Sequence, residues 1–208
     1  MTTPTVADLT TTWARRNAAT GKLSQAGIRL LADGKPVTAA MLAGAAGISI
    51  AEAEAYIESG ERTGLEVETG AIVGAALTLR PTQHQFTVRG NDLYTWCGFD
   101  ALFLPIILGE RAKVTSTCPV TRAEVNLTVE PDGTASDVTP GTAVVAIVGS
   151  DVTSSCETIG PGSQVCTQMP FFASREAGEK WLADHPGVAI VDLDQAREIA
   201  RASTRQCC

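Results

Sequence analysis

The first 60 residues have apolar side chains at the spacing of short helices. Apolar positions recur every three or four residues, Gly34 ends the second such segment, and Thr38 can cap the third. The predicted helices cover, in order, residues 7–18, 23–33, 38–45 and 49–60.

Residues 64–89 alternate between apolar and polar side chains, which is typical of short strands separated by Gly and Pro breaks. Helices followed by a small sheet resemble a winged-helix unit. Residues 1–60 carry five basic and five acidic side chains, and the would-be recognition helix, 49–59, holds three glutamates and no basic residue. This charge favours a structural or lid role over DNA binding, which stays open as the alternative.

The second half of the chain predicts one very apolar helix and several strands. Asn91 or Asp92 can cap a helix from Leu93 to Leu104, which Pro105 then bends or interrupts. Runs with β-type alternation follow and predict antiparallel neighbours. These runs are 112–118, 124–129 and 142–148.

Residues 149–163 are rich in Gly and Ser and lack periodicity, which predicts a long flexible loop of the kind that often forms a lid. A helix capped by Ser174, a strand at 188–191 and a helix at 193–202 follow, before a polar tail.

The pattern as a whole predicts an α+β fold, in which a helical, winged-helix-like N-terminal part precedes a mixed, mainly antiparallel sheet core with flanking helices. We place the division near residue 80, giving an N-terminal region, 1–80, and a catalytic core, 81–208.

Composition narrows the function. The chain has 208 residues, 16 basic and 23 acidic side chains and a net charge of -7, with a mean hydropathy of +0.10. Coating of nucleic acid or of an anionic membrane is not expected, because both need clustered Lys and Arg. There is no run of the roughly 18–20 apolar residues that a membrane span needs, and the first 16 residues are polar. We therefore expect a cytoplasmic protein that binds neither nucleic acid nor membrane.

Cysteine is the reactive residue type in this sequence. There are only two histidines, and the common nucleotide-binding, serine-hydrolase and zinc-protease motifs are missing. In a cytoplasmic protein, cysteines are more often metal-binding or catalytic than paired in disulfides. The six cysteines are Cys97, Cys118, Cys156, Cys166, Cys207 and Cys208.

Cys97 and Asp100 are spaced i and i+3 on the predicted apolar helix, so their side chains should be neighbours. An aspartate within an apolar helix has its pKa raised when it is buried, and such an acid can hold and pass a proton near neutral pH. The alternative is a partly exposed aspartate beside a cysteine that simply packs.

The run from Leu93 to Pro105, Leu-Tyr-Thr-Trp-Cys-Gly-Phe-Asp-Ala-Leu-Phe-Leu-Pro, resembles the signature helix of the organomercurial lyase, or alkylmercury lyase, family. The resemblance extends in order over roughly residues 25–195. Its other parts are 31–42, 77–80, 112–118 with 125–129, and Cys166 shortly before Phe171 and Phe172.

The resemblance implies that Cys97 and Cys166 bind mercury and that Asp100 is the acid. The implied reaction is protonolysis of the carbon–mercury bond of alkyl- and arylmercury compounds, giving a hydrocarbon and Hg(II) held by two thiolates. It implies no organic cofactor; external thiols would carry the substrate and accept the product, and a mercuric reductase is one candidate acceptor of Hg(II). The competing hypothesis is a thiol-based soft-metal sensor or mercury-binding chaperone without lyase activity.

Some residues depart from the family pattern or have two interpretations. Thr167 follows Cys166 where the family often has a second cysteine, and Cys156 is additional, either a third sulfur ligand or a passive loop residue. Cys118 resembles a packing cysteine. Trp96 and Phe171 either line a pocket for the organic group or belong to the core.

The vicinal pair Cys207 and Cys208 either passes Hg(II) out of the site by ligand exchange or has no function in the tail. If the pair passes mercury on, truncation of the last four residues slows the transfer of Hg(II) from the protein to an external dithiol. Transfer kinetics followed after one turnover check this, and an unchanged rate eliminates the hand-off hypothesis.

Overall fold

The computed structural model describes residues 3–17, 21–60, 64–154 and 163–204. Its helices are α1 (Val6–Asn17), α2 (Lys22–Leu31), α3 (Ala39–Ala46), α4 (Ile50–Glu58), α5 (Gly98–Leu108), α6 (Ser150–Ser154), α7 (Gln164–Thr167), α8 (Arg175–Leu182) and α9 (Leu193–Thr204).

The described strands form two antiparallel sheets. An eight-stranded sheet has the order β1-β2-β3-β5-β4-β6-β7-β8, and a three-stranded sheet has the order β10-β9-β11. The strands are β1 (Glu66–Glu68), β2 (Ala71–Ala75), β3 (Leu77–Thr78), β4 (His84–Val88), β5 (Asn91–Thr95), β6 (Ala112–Thr117), β7 (Glu124–Val129), β8 (Ala135–Thr139), β9 (Val144–Val148), β10 (Phe171–Phe172) and β11 (Val188–Val191). The predicted α+β class, with a mainly antiparallel sheet and flanking helices, is confirmed.

Local capping explains why the N-terminal helices begin and end where they do. The Thr38 side chain accepts a hydrogen bond from the backbone N–H of Met41 at the start of α3, and Gly47 ends that helix with a φ of +69°. Ser49 and Glu52 form a reciprocal capping box at the start of α4. These signals are local in sequence, so the four helices predicted there are present.

Helix α2 lies against the larger sheet. Ile28 and Leu31 of α2 are buried, and α2 contacts β2. A bridge between Val37 and Ile72 joins the loop before α3 to the same strand. Strands β1 to β3 continue through β5 into the rest of the sheet, so the sheet crosses position 80 without a break.

In the part of the chain that the structure describes, no single helix is long and apolar enough to cross a membrane. The pair α3 and α4 passes that test only when taken together, with a bend of 118° between them.

The predicted helix from Leu93 is wrong at its start and at its end. Asn91–Thr95 is strand β5, which pairs with both β3 and β4, and the helix begins at Gly98. The turn between β4 and β5 consists of Arg89 and Gly90, both with positive φ, which is the geometry of a tight hairpin. Cross-strand pairing therefore outweighs helical spacing. Pro105 lies inside the helix, which continues to Leu108.

Two further expectations need correction, and one strand was not predicted. Strand β9 is not a neighbour of β6 and β7; it is the central strand of the smaller sheet. Strand β8, which pairs with β7, was not predicted, because its side chains are intermediate or exposed and lack apolar alternation. The predicted loop 149–163 begins with helix α6, and its residues 155–162 lie outside the described residues.

Helix α5 is the most deeply buried helix. It contacts α9, β9 and the larger sheet, and nine of its residues are buried. Trp13 of α1 packs against Phe99 of α5 with ring centroids 4.9 Å apart, and its indole N–H donates a hydrogen bond of 3.1 Å to the Val148 carbonyl oxygen. Helix α1 therefore joins α5 to the end of β9.

Replacing Trp13 with Phe keeps an aromatic ring but removes the donor to Val148. We expect the free energy of unfolding to fall by about 1–3 kcal/mol, since a buried carbonyl loses its partner. Urea denaturation measures this. Thr11→Ala, on the exposed side of the same helix, is the control and should change stability by less than about 0.5 kcal/mol. Equal effects of the two substitutions would contradict the structural role of Trp13.

Candidate active site

Cys97 is the N-cap of α5. Strand β5 ends at Thr95, and Cys97 has extended backbone angles (φ −149°, ψ 170°), so the chain turns into the helix at this residue. Its Sγ accepts a hydrogen bond of 3.4 Å from the backbone N–H of Asp100. The two residues are thus N-cap and N3, rather than two positions within the helix. They are neighbours all the same, because a cap side chain folds over the first turn.

Cys166 is presented by α7, a single helical turn. The Ser163 hydroxyl caps this turn by accepting a hydrogen bond of 3.2 Å from the backbone N–H of Cys166. After the turn, the Met169 N–H donates a hydrogen bond of 3.3 Å to the Cys166 carbonyl oxygen, so the chain stays compact around the cysteine.

A close backbone contact brings the two cysteines together. Gly98 N–H donates a hydrogen bond of 2.8 Å to the Met169 carbonyl oxygen. A Cβ atom at Gly98 would lie 2.8 Å from that oxygen and 3.0 Å from the Phe171 ring. The start of α5 can approach the segment after Cys166 this closely because residue 98 has no side chain.

The resulting cluster contains two thiols and one carboxyl group. The Cys97 Sγ, the Cys166 Sγ and a carboxylate oxygen of Asp100 all lie within 4.8 Å of one another. Cys97 is fully buried and Cys166 is 2% exposed. Oδ2 of Asp100 is buried and has no hydrogen-bond partner among the described residues.

Burial controls the protonation of this cluster. It raises the pKa of Asp100 to about 7, and a hydrogen bond with Cys97 only partly opposes the shift. Burial also raises the pKa of Cys97 well above its usual value, and the Cys166 hydrogen bond and the Asp100 charge add to this effect. At neutral pH the cluster therefore holds protons that an incoming cation can displace, beside an acid that can take or give one.

The other predicted residues have different surroundings. Trp96 is 8% exposed and its indole is hydrogen-bonded to Glu66, while Phe171 is fully buried against Gly98. Cys156, Cys207 and Cys208 lie outside the described residues.

Cys118 is buried but is not in the cluster. Burial acts to raise its pKa, but hydrogen bonds from Thr121, Ala173 and Val120 outweigh burial and lower it.

Three contributors to the site were not identified from sequence: Ser163, Gly98 and the Met169 carbonyl. The Ser163-x-x-Cys166 spacing is a cap signal that could have placed Cys166 at the start of a helix. The Gly98 contact has no signal in a single sequence.

His84, the buried histidine of β4, is hydrogen-bonded to Ser116, and burial lowers its pKa to about 3, so it is neutral at physiological pH.

A buried pair of thiols beside an acid that titrates near neutrality defines a thiol-dependent site for a soft cation, with a proton donor at the same place.

Comparison with known proteins identifies the family. The sequence model of the family described as alkylmercury lyase matches residues 77–205. An alkylmercury lyase of Streptomyces lividans is 41% identical over 177 residues, which are 85% of this chain and 79% of that protein. One of Bacillus cereus is 38% identical over 174 residues, or 84% and 77% of the two chains.

A solved structure described as the mercury-bound form of MerB2 superposes with a TM-score of 0.74 at 25% identity, covering 96% of this chain and 98% of that one. The chain belongs to the alkylmercury lyase family. The family, the enzyme class and the organomercurial lyase function predicted from sequence are thereby confirmed.

The raised pKa of Asp100 makes stability depend on pH in a defined direction. Between about pH 4 and about pH 7 the folded state keeps a proton that the unfolded chain has released, so the free energy of unfolding falls as pH rises. We expect wild type to lose roughly 2–4 kcal/mol relative to Asp100→Asn across this window and no more above it. Urea denaturation of both proteins over this range measures the difference. Parallel pH curves would contradict the shift.

Proposed function

We propose that the protein cleaves the carbon–mercury bond of organomercurials by protonolysis, with Cys97 and Cys166 as mercury ligands and Asp100 as the proton carrier. The observation that supports this most directly is the cluster itself, in which two thiol sulfurs and a carboxyl oxygen lie within 4.8 Å of one another. The products of the proposed reaction are a hydrocarbon and Hg(II) held by two thiolates.

Sulfur is the suitable ligand for this substrate. Mercury is a soft cation that thiolate binds in preference to oxygen or imidazole. A second thiolate on mercury increases the electron density on the metal and weakens its bond to carbon. The carbon then becomes a better proton acceptor.

The proton follows a closed path. The substrate arrives as R–Hg bound to an external thiolate, and one protein thiol replaces that thiolate and gives it a proton. The second thiol then joins mercury and transfers its proton to ionised Asp100. Protonated Asp100 delivers this proton to the carbon as the carbon–mercury bond breaks. Hydrocarbon leaves, and Asp100 is ionised again.

The pKa of Asp100 suits both transfers. An acid whose pKa is about 7 is ionised often enough to accept a proton and is acidic enough to release it. The buried Oδ2, which has no hydrogen-bond partner among the described residues, is free to make the contact with the thiol or the carbon. A carboxylate in water would spend most of its time ionised and solvated.

The organic group would lie against apolar side chains. We assign Trp96 and Phe171 to its surroundings, since both are next to the cluster in sequence or in space. Apolar contacts discriminate weakly between alkyl and aryl groups, so broad acceptance of both is expected.

External thiols would deliver R–Hg and remove Hg(II), with no organic cofactor taking part. A mercuric reductase is the class of enzyme that would consume the product. Both interpretations stand for the other cysteines: Cys156 is a third sulfur ligand or a passive residue, and Cys207 and Cys208 pass Hg(II) on or have no function.

We assign the N-terminal region, 1–80, a winged-helix-like arrangement with a structural role. Helices α3 and α4 meet at a 118° bend, and β1 and β2 form a hairpin whose second strand contacts α2. Helix α4 carries Glu52, Glu54 and Glu58 and no basic residue, which disfavours contact with phosphates.

Substitutions at the cluster test the mechanism. With phenylmercury or methylmercury and excess thiol, wild type should release benzene or methane, which headspace analysis detects. Cys97→Ser and Cys166→Ser should release neither. Asp100→Asn should bind the organomercurial but release hydrocarbon at least a hundredfold more slowly, because the proton carrier is gone.

Cys118→Ala is the matched control, since Cys118 is buried but outside the cluster. It should keep turnover close to that of wild type. Normal turnover by Asp100→Asn would exclude the proton-carrier role. Stoichiometric mercury binding without any hydrocarbon would instead favour a sensor or chaperone.

A further inference from the structure

Glu66 is a buried acidic side chain that the mechanism above does not use. The residue is 7% exposed, and its Oε2 accepts a hydrogen bond of 3.0 Å from the indole N–H of Trp96 and another from the Thr78 hydroxyl. Its Oε1 lies 3.7 Å from the Arg80 guanidinium. Burying a carboxylate is costly unless such donors surround it, so this side chain is held in one place by specific partners.

A missing side chain lets Glu66 reach across the sheet. Glu66 of β1 is opposite Gly74 of β2, which in turn is opposite Thr78 of β3. A Cβ atom at Gly74 would overlap Oε2 of Glu66. The carboxyl group therefore lies over the backbone of Gly74 and meets partners beyond the neighbouring strand.

Trp96, the residue that Glu66 holds, is the single residue between strand β5 and Cys97. Its backbone N–H donates a hydrogen bond of 3.0 Å to the Ala76 carbonyl oxygen. The Thr95 hydroxyl donates a hydrogen bond of 2.8 Å to the Cys97 carbonyl oxygen. The main chain on both sides of Trp96 is thus fixed, and the bond to Glu66 fixes its side chain. Without the bond to Glu66 the indole would lose its fixed position, and this side chain belongs to the residue directly before Cys97.

We infer that Glu66 is a positioning residue for Cys97: through the Trp96 indole it fixes the place of the Cys97 thiol relative to Asp100 and Cys166. Glu66 does not touch the reacting atoms. The inference rests on the proposed role of Cys97 as a mercury ligand. It adds a fourth residue to the site, 31 positions before that cysteine.

Positioning should affect turnover more than binding. Thiols bind soft mercury strongly even when their placement is imperfect, whereas the second thiol and the acid must meet mercury and carbon together. A misplacement of about 1 Å can cost about a hundredfold in rate. Loss of Glu66 should therefore lower kcat while KM changes little.

Three variants and one control separate positioning of Cys97 from general stability. Glu66→Ala removes the acceptor, and Gly74→Ala displaces the carboxyl group without changing it. Both should lower kcat for hydrocarbon release by at least about tenfold, with KM within about threefold of wild type. Glu66→Gln should keep most of the activity, because its amide oxygen can still accept from the indole.

Glu68→Ala is the matched control. Glu68 is on the same strand and lies 3.5 Å from the same arginine, Arg80, but the pair is exposed, with side-chain exposures of 53% and 60%. An exposed ion pair contributes little, so kcat should be unchanged.

The indole N–H resonance of Trp96, identified by its loss in Trp96→Phe, gives a readout that does not depend on activity. It should move in Glu66→Ala and Gly74→Ala and stay in place in Glu68→Ala. A folded Glu66→Ala variant with wild-type kcat overturns the inference, as does a Gln variant that is as slow as the Ala variant. If Glu66→Ala does not fold, Gly74→Ala and Glu66→Gln decide.

Failure of the proposed function is separate, because it appears in the wild type and in Cys97→Ser. A wild type that releases no hydrocarbon, or a Cys97→Ser variant that still does, overturns the mechanism. The Glu66 series is judged only against a wild type that turns over.

Discussion

One backbone hydrogen bond, from Gly98 N–H to the Met169 carbonyl oxygen, joins the two halves of the proposed site. One half is the start of α5, with Cys97 and Asp100, and the other is the short turn that carries Cys166. These halves belong to segments 69 positions apart, and among the residues that the structure describes no disulfide or long helix holds them together. The placement of the second sulfur therefore depends on backbone packing, which is why a glycine is needed at the contact.

Burial determines the protonation of the side chains beside that contact. The same removal of water that raises the pKa of Asp100 and Cys97 leaves both groups without the solvation that charged forms need. A fully apolar cluster would be the more stable arrangement. The protein instead keeps the protonated Cys97 thiol, a second sulfur and an acid together in its interior, where in the proposed mechanism an arriving soft cation replaces a proton.

Much of the fold could be predicted, because many of its signals are local. Caps at Thr38 and Ser49 place α3 and α4, and alternation places β6 and β7. The start of α5 was misplaced because Asn91–Thr95 is a strand only through pairing with β3 and β4, which local spacing does not encode. Cys97 and Asp100 are neighbours despite that error, because the side chains of the N-cap and N3 residues lie as close together as those at positions i and i+3 within a helix. Only the family resemblance placed Cys166 beside them, because the contact that brings it there, between Gly98 and the Met169 carbonyl oxygen, is tertiary.

Helix α1 has a consequence for how the molecule assembles during synthesis. Trp13 contacts the Val148 carbonyl 135 positions later, and α1 also packs along α9, near the other end of the chain. Helix α1 must therefore wait until β9 and α9 have been made before it is seated, and closing so long a loop is slow. Until then Phe99 lacks its aromatic cover and Cys97 lies in an incomplete interior. Until β9 and α9 have been made, the Cys97 thiol is therefore open to metals and oxidants, and the seating of α1 ends that exposure.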